Sequence, residues 1–187
     1  MSFTKLTDND EITLLDIAKK SIQHGLIKHR ALPINLNDYG KPLTEDGASF
    51  VTLNLNQQLR GCIGTLEAFQ PLVKDISEHA FAAAFKDPRF TPITSNEIDK
   101  LDIHISILTK SIPIDFTDEK DLLSKIQEGV DGLILQDGPH KATFLPSVWE
   151  QLPDPKDFLD HLKLKAGLDK NYWDKNISVS RYATISF

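Results

Sequence analysis

The run Phe50-Val51-Thr52-Leu53-Asn54-Leu55-Asn56-Gln57-Gln58-Leu59-Arg60-Gly61-Cys62-Ile63-Gly64 decides how the chain folds. Val51, Leu53 and Leu55 alternate with polar residues, the period of a strand with one buried face. Asn56-Gln57-Gln58 turns that strand back, and Leu59 to Gly64 forms the second arm of a hairpin. A period of two places Arg60, Cys62 and Gly64 on one face of the second arm and Leu59, Gly61 and Ile63 on the other. A cation and the only cysteine of 187 residues then stand about 7 Å apart at the backbone. Glycine inside a strand weakens it and marks a bulge or a close approach by a ligand or another backbone.

Outward from the hairpin, the elements alternate in type. Asp8 and Glu11 have capping-box spacing, with Leu15, Ala18, Ile22 and Leu26 sharing one face behind them. This predicts a first helix that ends near Gly25. Residues 33–47 are rich in turn formers and read as a surface loop. Pro71 suits the first turn of a second helix, whose stripe is Leu72, Ile76, His79, Ala80 and Ala83. Ala82-Ala83-Ala84 keeps that helix narrow, and Lys86-Asp87-Pro88 stops it. Over residues 101–109, Ile103, Ile105 and Ile107 face inward while Asp102, His104 and Ser106 face outward.

A short helix spans 118–127, stopped by Gly129. Residues 132–136 and 141–145 form a hairpin around Asp137-Gly138. Asp154 caps a helix with Pro155 at its first position and Gly167 at its end. A closing strand lies within 177–187. Interspersed helices and hairpins predict a single domain, residues 1–187, of the α+β class: mostly antiparallel sheet with flanking helices.

The composition is that of a globular protein, 40% hydrophobic and 26% charged. A net charge of −6 repels nucleic acid and anionic membrane. The one basic cluster, Lys19, Lys20, Lys28, His29 and Arg30, reads as the solvated side of a helix and its exit. No apolar run is long enough to span a bilayer, and the N-terminus lacks a signal-peptide layout. One cysteine forms no internal disulfide, which fits a cytoplasmic location.

Six histidines form no HExxH pair, and one cysteine permits no zinc-finger spacing, so no metal site is expected. Glycine-rich phosphate loops and a GxSxG elbow are absent, and no cofactor is expected. Cys62 is therefore the one candidate nucleophile. Three readings stay open: a thiol activated by Arg60, a small buried packing residue between glycines that admit a helix, and a binding surface in which Arg60 matters and the thiol does not. His79 and His104 are candidate bases, and nothing in the sequence places either beside Cys62. In Phe85-Lys86-Asp87-Pro88-Arg89-Phe90-Thr91-Pro92, Asp87 and Arg89 either orient a polar ligand or pair with each other while the phenylalanines plug the core.

Taken together, residues 47–52, Leu59-Arg60-Gly61-Cys62-Ile63-Gly64 and Ala84-Phe85-Lys86-Asp87-Pro88-Arg89-Phe90 resemble the AMMECR-one domain family. Its prokaryotic members are called protein A of the AmmeMemoRadiSam system. The resemblance continues through residues 105–109, 129–135, 143–146 and 165–167, and the six-residue cysteine motif is the family's hallmark. It implies an α+β fold with two unequal lobes, the larger built from both chain ends, the smaller from the middle, and the cysteine motif near the cleft between them. It also implies an uncharacterised small-ligand-binding or catalytic domain that keeps company with a Memo-like protein and a radical S-adenosylmethionine enzyme. Cys62 would be the nucleophile, with Arg60, Gly61, Gly64, Asp87 and Arg89 binding a small molecule or a partner. The alternative is a non-catalytic adaptor with Arg60, Phe85 and Phe90 as anchors. A nucleic-acid role, also proposed for the family, is disfavoured by the acidic charge.

Overall fold

The computed structural model describes residues 6–187. In chain order its elements are α1 (Asp8–Lys28), β1 (Asp46–Leu55), β2 (Gln58–Gly64), β3 (Gln70–Pro71), α2 (Leu72–Phe85) and β4 (Leu101–Leu108). There follow β5 (Ile112–Pro113), α3 (Glu119–Lys125), β6 (Gly132–Asp137), β7 (His140–Phe144), α4 (Pro155–Lys165), β8 (Ser178–Tyr182) and β9 (Thr184–Ser186). They divide into two compact units: one runs to Leu108 and takes back Ile185–Phe187, and the other is Thr109–Thr184. The fold is α+β with two antiparallel sheets, ordered β2-β1-β4-β9, with β3 on β1, and β5-β8-β6-β7.

In the first unit the alternation of β1 is read out directly. Val51 and Leu53 are fully buried, and Thr52 between them and Asn54 beyond are not. Ile105 and Ile107 of β4 continue the same face, and α1 and α2 cover it with Ile17, Ile22, Ile76 and Ala80. Each aliphatic side chain buried this way contributes roughly 1.5–3 kcal/mol. The hairpin loop is shorter than the sequence suggests. Only Asn56 and Gln57 lie in it, with φ of 53° and 65°, and Gln58 already pairs with Leu55. Two left-handed residues make the turn whose twist matches the strands, although glutamine adopts that conformation at a cost.

The two glycines of β2 have packing reasons. A Cβ on Gly61 would stand 2.1 Å from the Ala83 carbonyl oxygen of α2. A Cβ on Gly64 would lie 2.4 Å from both the Phe50 ring and the Ser49 carbonyl oxygen. Gly25, expected to end the first helix, lies inside α1, where the Phe81 and Phe85 rings fill the place of its side chain. The helix runs on to Lys28 and closes on His29 at φ 55°. Its capping box is Thr7 with Asp10, because the Thr7 hydroxyl accepts from the Asp10 amide while the Asp10 carboxylate accepts from the Thr7 amide.

The second unit packs α4 on its sheet through Phe158, which stacks on Trp149 with ring centroids 3.8 Å apart. Lys163 of α4 is fully buried, its Nζ donating to Glu119 and to the Lys170 carbonyl. Asp154 and Gly167 bound α4 as expected. The third helix stops at Lys125, short of Gln127. The closing strand is two strands in different sheets, β8 and β9, with Ala183 between them.

Gly61→Ala must push α2 away at a backbone atom, so we expect a loss of about 3 kcal/mol or failure to fold, whereas Gly40→Ala, which meets nothing within 4 Å, stays within about 0.5 kcal/mol. Gln57→Gly relieves the left-handed turn and is expected to stabilise by about 1 kcal/mol. Urea midpoints at unchanged slope measure all three.

Candidate functional site

The strand register sets the geometry around Cys62. Leu53 pairs with Gly61 and Asn54 with Leu59, so Arg60 is the extra residue of a bulge. The expected alternation fails there. Leu59 faces outward at 44% exposure, whereas Gly61, in the α2 contact, is buried. Beyond the bulge the alternation resumes, and Cys62 pairs with Thr52 on the face turned away from α2. The Thr52 hydroxyl donates to Cys62 Sγ at 3.3 Å. Thr52 also pairs with His104 of β4, so Cys62, Thr52 and His104 form one row across three strands. His104 Nε2–H donates to Asp102 Oδ2 at 2.8 Å, which leaves Nδ1 with its lone pair. Cys62 is half-buried.

Since β2 is the outer strand of its sheet, the Cys62 peptide groups would lack strand partners on that side. The loop after α2 supplies them. The Cys62 amide donates to Asp87 Oδ2 at 2.9 Å, and its carbonyl accepts from Arg89 Nη2 at 3.3 Å. Asp87 and Arg89 are themselves a bidentate pair, Nη2 to Oδ2 at 2.7 Å and Nε to Oδ1 at 3.0 Å. Asp87 is 4% exposed. The Arg89 hydrogen bond, followed by the Cys62 and Arg89 amides, overcomes burial and holds the Asp87 carboxyl well below its ordinary range. The Arg89 guanidinium is pushed up, chiefly by its hydrogen bond to Asp87 and also by the nearby Asp87 charge. Its side chain is 54% exposed, and Nη1 makes no hydrogen bond among the described residues.

Arg60 is occupied differently. Its Nε donates to Glu97 Oε1 at 2.8 Å and Nη2 to Oε2 at 3.4 Å, while Nη1 and Nη2 reach the carbonyls of Thr91 and Pro92. The bulge turns this side chain along the sheet edge, where it ties the 87–97 loop to β2. Glu97 also accepts from the Thr94 amide and hydroxyl, both at 2.8 Å. Its carboxyl is lowered to about 2, first by the Arg60 hydrogen bond and then by the Thr94 amide.

The structure thus brings Cys62, Asp87 and Arg89 into direct contact, sets Gly61 and Gly64 against α2 and Phe50, and engages Arg60 with Glu97. Phe85 packs on Phe81 at 5.2 Å within the core, and Phe90 lies under the Arg89 guanidinium. His79 belongs to the α2 face, opposite Cys62, through Ser49 and Asp75. Sequence reasoning missed Thr52 and Glu97. Thr94-x-x-Glu97 is a readable capping signature, but nothing local links Glu97 to Arg60. No group of three or more His, Cys, Asp or Glu able to hold a metal occurs among the described residues. No helix among them is long and apolar enough to cross a membrane.

Because Asp87 and Glu97 bind protons more weakly in the folded chain than in the unfolded one, the stability they supply is complete above the ordinary carboxyl range. It drains away as pH falls below 4.5 toward about 2. We expect the urea midpoint to fall across that window. Glu97→Gln should lower stability near neutral pH by roughly 1–3 kcal/mol, the cost of an unpaired, largely buried guanidinium, and flatten the acid limb.

The AMMECR1 family model matches residues 15–187. Protein LS215_2104 of Saccharolobus islandicus is 36% identical over 189 residues, covering 96% of this chain and 82% of that protein. A protein of Methanothermobacter thermautotrophicus is 35% identical over 186 residues, covering 97% and 95%. The crystal structure of the uncharacterized protein PH0010 from Pyrococcus horikoshii superimposes with a TM-score of 0.82 at 31% identity, over 93% of this chain and 88% of that one. The contacts that join Cys62, Asp87 and Arg89 therefore sit in a fold shared with the Pyrococcus protein over 93% of this chain, and the chain belongs to the AMMECR1 family.

Proposed function

We propose that this AMMECR1 domain is a small-ligand-binding or catalytic domain centred on Leu59–Gly64, with Cys62 as nucleophile or thiol carrier. The observation that carries the reading is the treatment of Cys62. Its amide and carbonyl are both pinned by one Asp–Arg pair, while its thiol faces away from the helix-covered core and receives the Thr52 hydroxyl. A thiol held in one position beside a cation is what nucleophilic chemistry needs. Arg89 is the side chain with a donor to spare, so an anionic or polar group of the ligand would meet Nη1. Arg60 serves by holding the 87–97 loop in place. His104, in the same row and backed by Asp102, is the base closest in register. The domain would work alongside Memo-like and radical S-adenosylmethionine proteins in the cytoplasm. That part of the proposal rests on family membership alone.

Alkylation by iodoacetamide tests the site. We expect native Cys62 to react at neutral pH at least as fast as the unfolded chain, and Arg89→Gln to slow the native reaction by about fivefold or more with the fold intact. Full protection of Cys62 in the native chain would make it a packing residue and overturn the reading. Failure of both partner types to bind at micromolar concentration would overturn the association.

A further inference from the structure

On the other face of the same sheet, beneath α2, lies a second group of reactive side chains that the thiol reading leaves unused. Asp75 is fully buried, and no Lys or Arg among the described residues pairs with it. Its Oδ2 accepts from the Ser49 hydroxyl at 2.7 Å and lies 3.1 Å from His79 Nδ1, and its Oδ1 accepts from Gln70 Nε2 at 3.4 Å. Gln70 Nε2 also donates to Glu78 Oε2 at 2.9 Å. Ser49 is fully buried as well. Its hydroxyl proton is committed to the carboxylate, so its oxygen accepts from His79 Nδ1–H at 3.5 Å.

The consequence falls on His79. With the Ser49 oxygen and the Asp75 carboxylate both facing Nδ1 as acceptors, Nδ1 carries the proton, which fixes the imidazole's ring plane and its tautomer and leaves the lone pair on Nε2. The His79 side chain is 13% exposed. Its Nε2 makes no hydrogen bond among the described residues, and it is not one of their buried unpartnered atoms, a description that fits only His24 Nε2. It therefore meets solvent. The helix neighbours one turn further on, Ala82 and Ala83, are too small to cover it. Packing alone does not ask for a buried carboxylate beside a histidine.

We propose that His79 is a second ligand site, independent of Cys62, at which Nε2 accepts a hydrogen bond or a proton from a hydroxyl or N–H group of a small ligand. The Asp75 carboxylate lies 3.1 Å from Nδ1 on the far side of the ring from Nε2, so the group the imidazole takes is neutral or cationic rather than a carboxylate or phosphate. Asp75 is a positioning residue, and Ser49 and Gln70 hold its carboxylate.

The test uses the full chain carrying Cys62→Ser, which separates it from the thiol reading. Long-range proton–nitrogen spectra, assigned by loss of the signal in His79→Gln, report the tautomer. Diethyl pyrocarbonate, followed by mass spectrometry, reports access to Nε2. The expected result is a His79 protonated at Nδ1 and carbethoxylated in the folded chain faster than His24. Asp75→Asn should lose that tautomer, and Ser49→Ala should keep it, a contrast that a merely structural role would not produce. Protonation of His79 at Nε2, or its protection from the reagent in the folded chain, would overturn the proposal, and the Cys62→Ser spectra alone decide this if Asp75→Asn does not fold.

Discussion

The close approach of α2 to β2 is the contact on which the rest of the first unit depends. At Gly61 a backbone carbonyl of the helix occupies the space where any other residue would carry a side chain. The distance between helix and strand is therefore set by backbone atoms and cannot relax by repacking side chains. One and two turns earlier on the helix, His79 and Asp75 meet β1 at Ser49. Two residues past its end, Asp87 meets β2 at Cys62. Both polar groupings inherit their positions from that single approach.

Seen from the edge of the sheet, the Asp87–Arg89 pair does the work of a missing strand. An outermost strand exposes amides and carbonyls that invite another chain to pair with it. Here one carboxylate and one guanidinium answer both groups of a single residue, and Arg60 with Glu97 fixes the loop that brings them. Of the six residues Leu59 to Gly64, the glycines serve packing and the arginine serves the loop. What remains directed outward is Leu59 and the thiol, the thiol with half of one guanidinium beside it.

Much of this was legible in the chain. The inward isoleucines of β4, the alternation of β1, the Asp154 cap and the Gly167 stop are local signals, and local signals read well. The bulge at Arg60 was not legible, because one extra residue leaves composition unchanged and reveals itself only through the partner strand. The same holds for the row that joins Cys62 to His104 through Thr52, and for the 37-residue separation between Arg60 and Glu97. Gly25 misled for a physical reason. A glycine at a helix end and a glycine that admits two aromatic rings look alike in sequence. The final strand misled because Ala183 divides it between two sheets without a turn signal.

The passage through Ala183 also bears on the order in which the chain can fold. Ser106 and Ser186 meet across β4 and β9 although 80 residues separate them. Closing so long a loop in an unfolded chain is entropically unfavourable, and non-local pairings of this kind slow folding. The second unit ties its own ends together, since Thr109 N–H donates to the Ala183 carbonyl and the Ala183 N–H donates to the Thr109 hydroxyl. Once it has folded, the effective loop between β4 and β9 shrinks to a few residues. The inserted unit thus acts as a chain-shortening device, and the first sheet gains its last strand at the entropic cost of a hairpin.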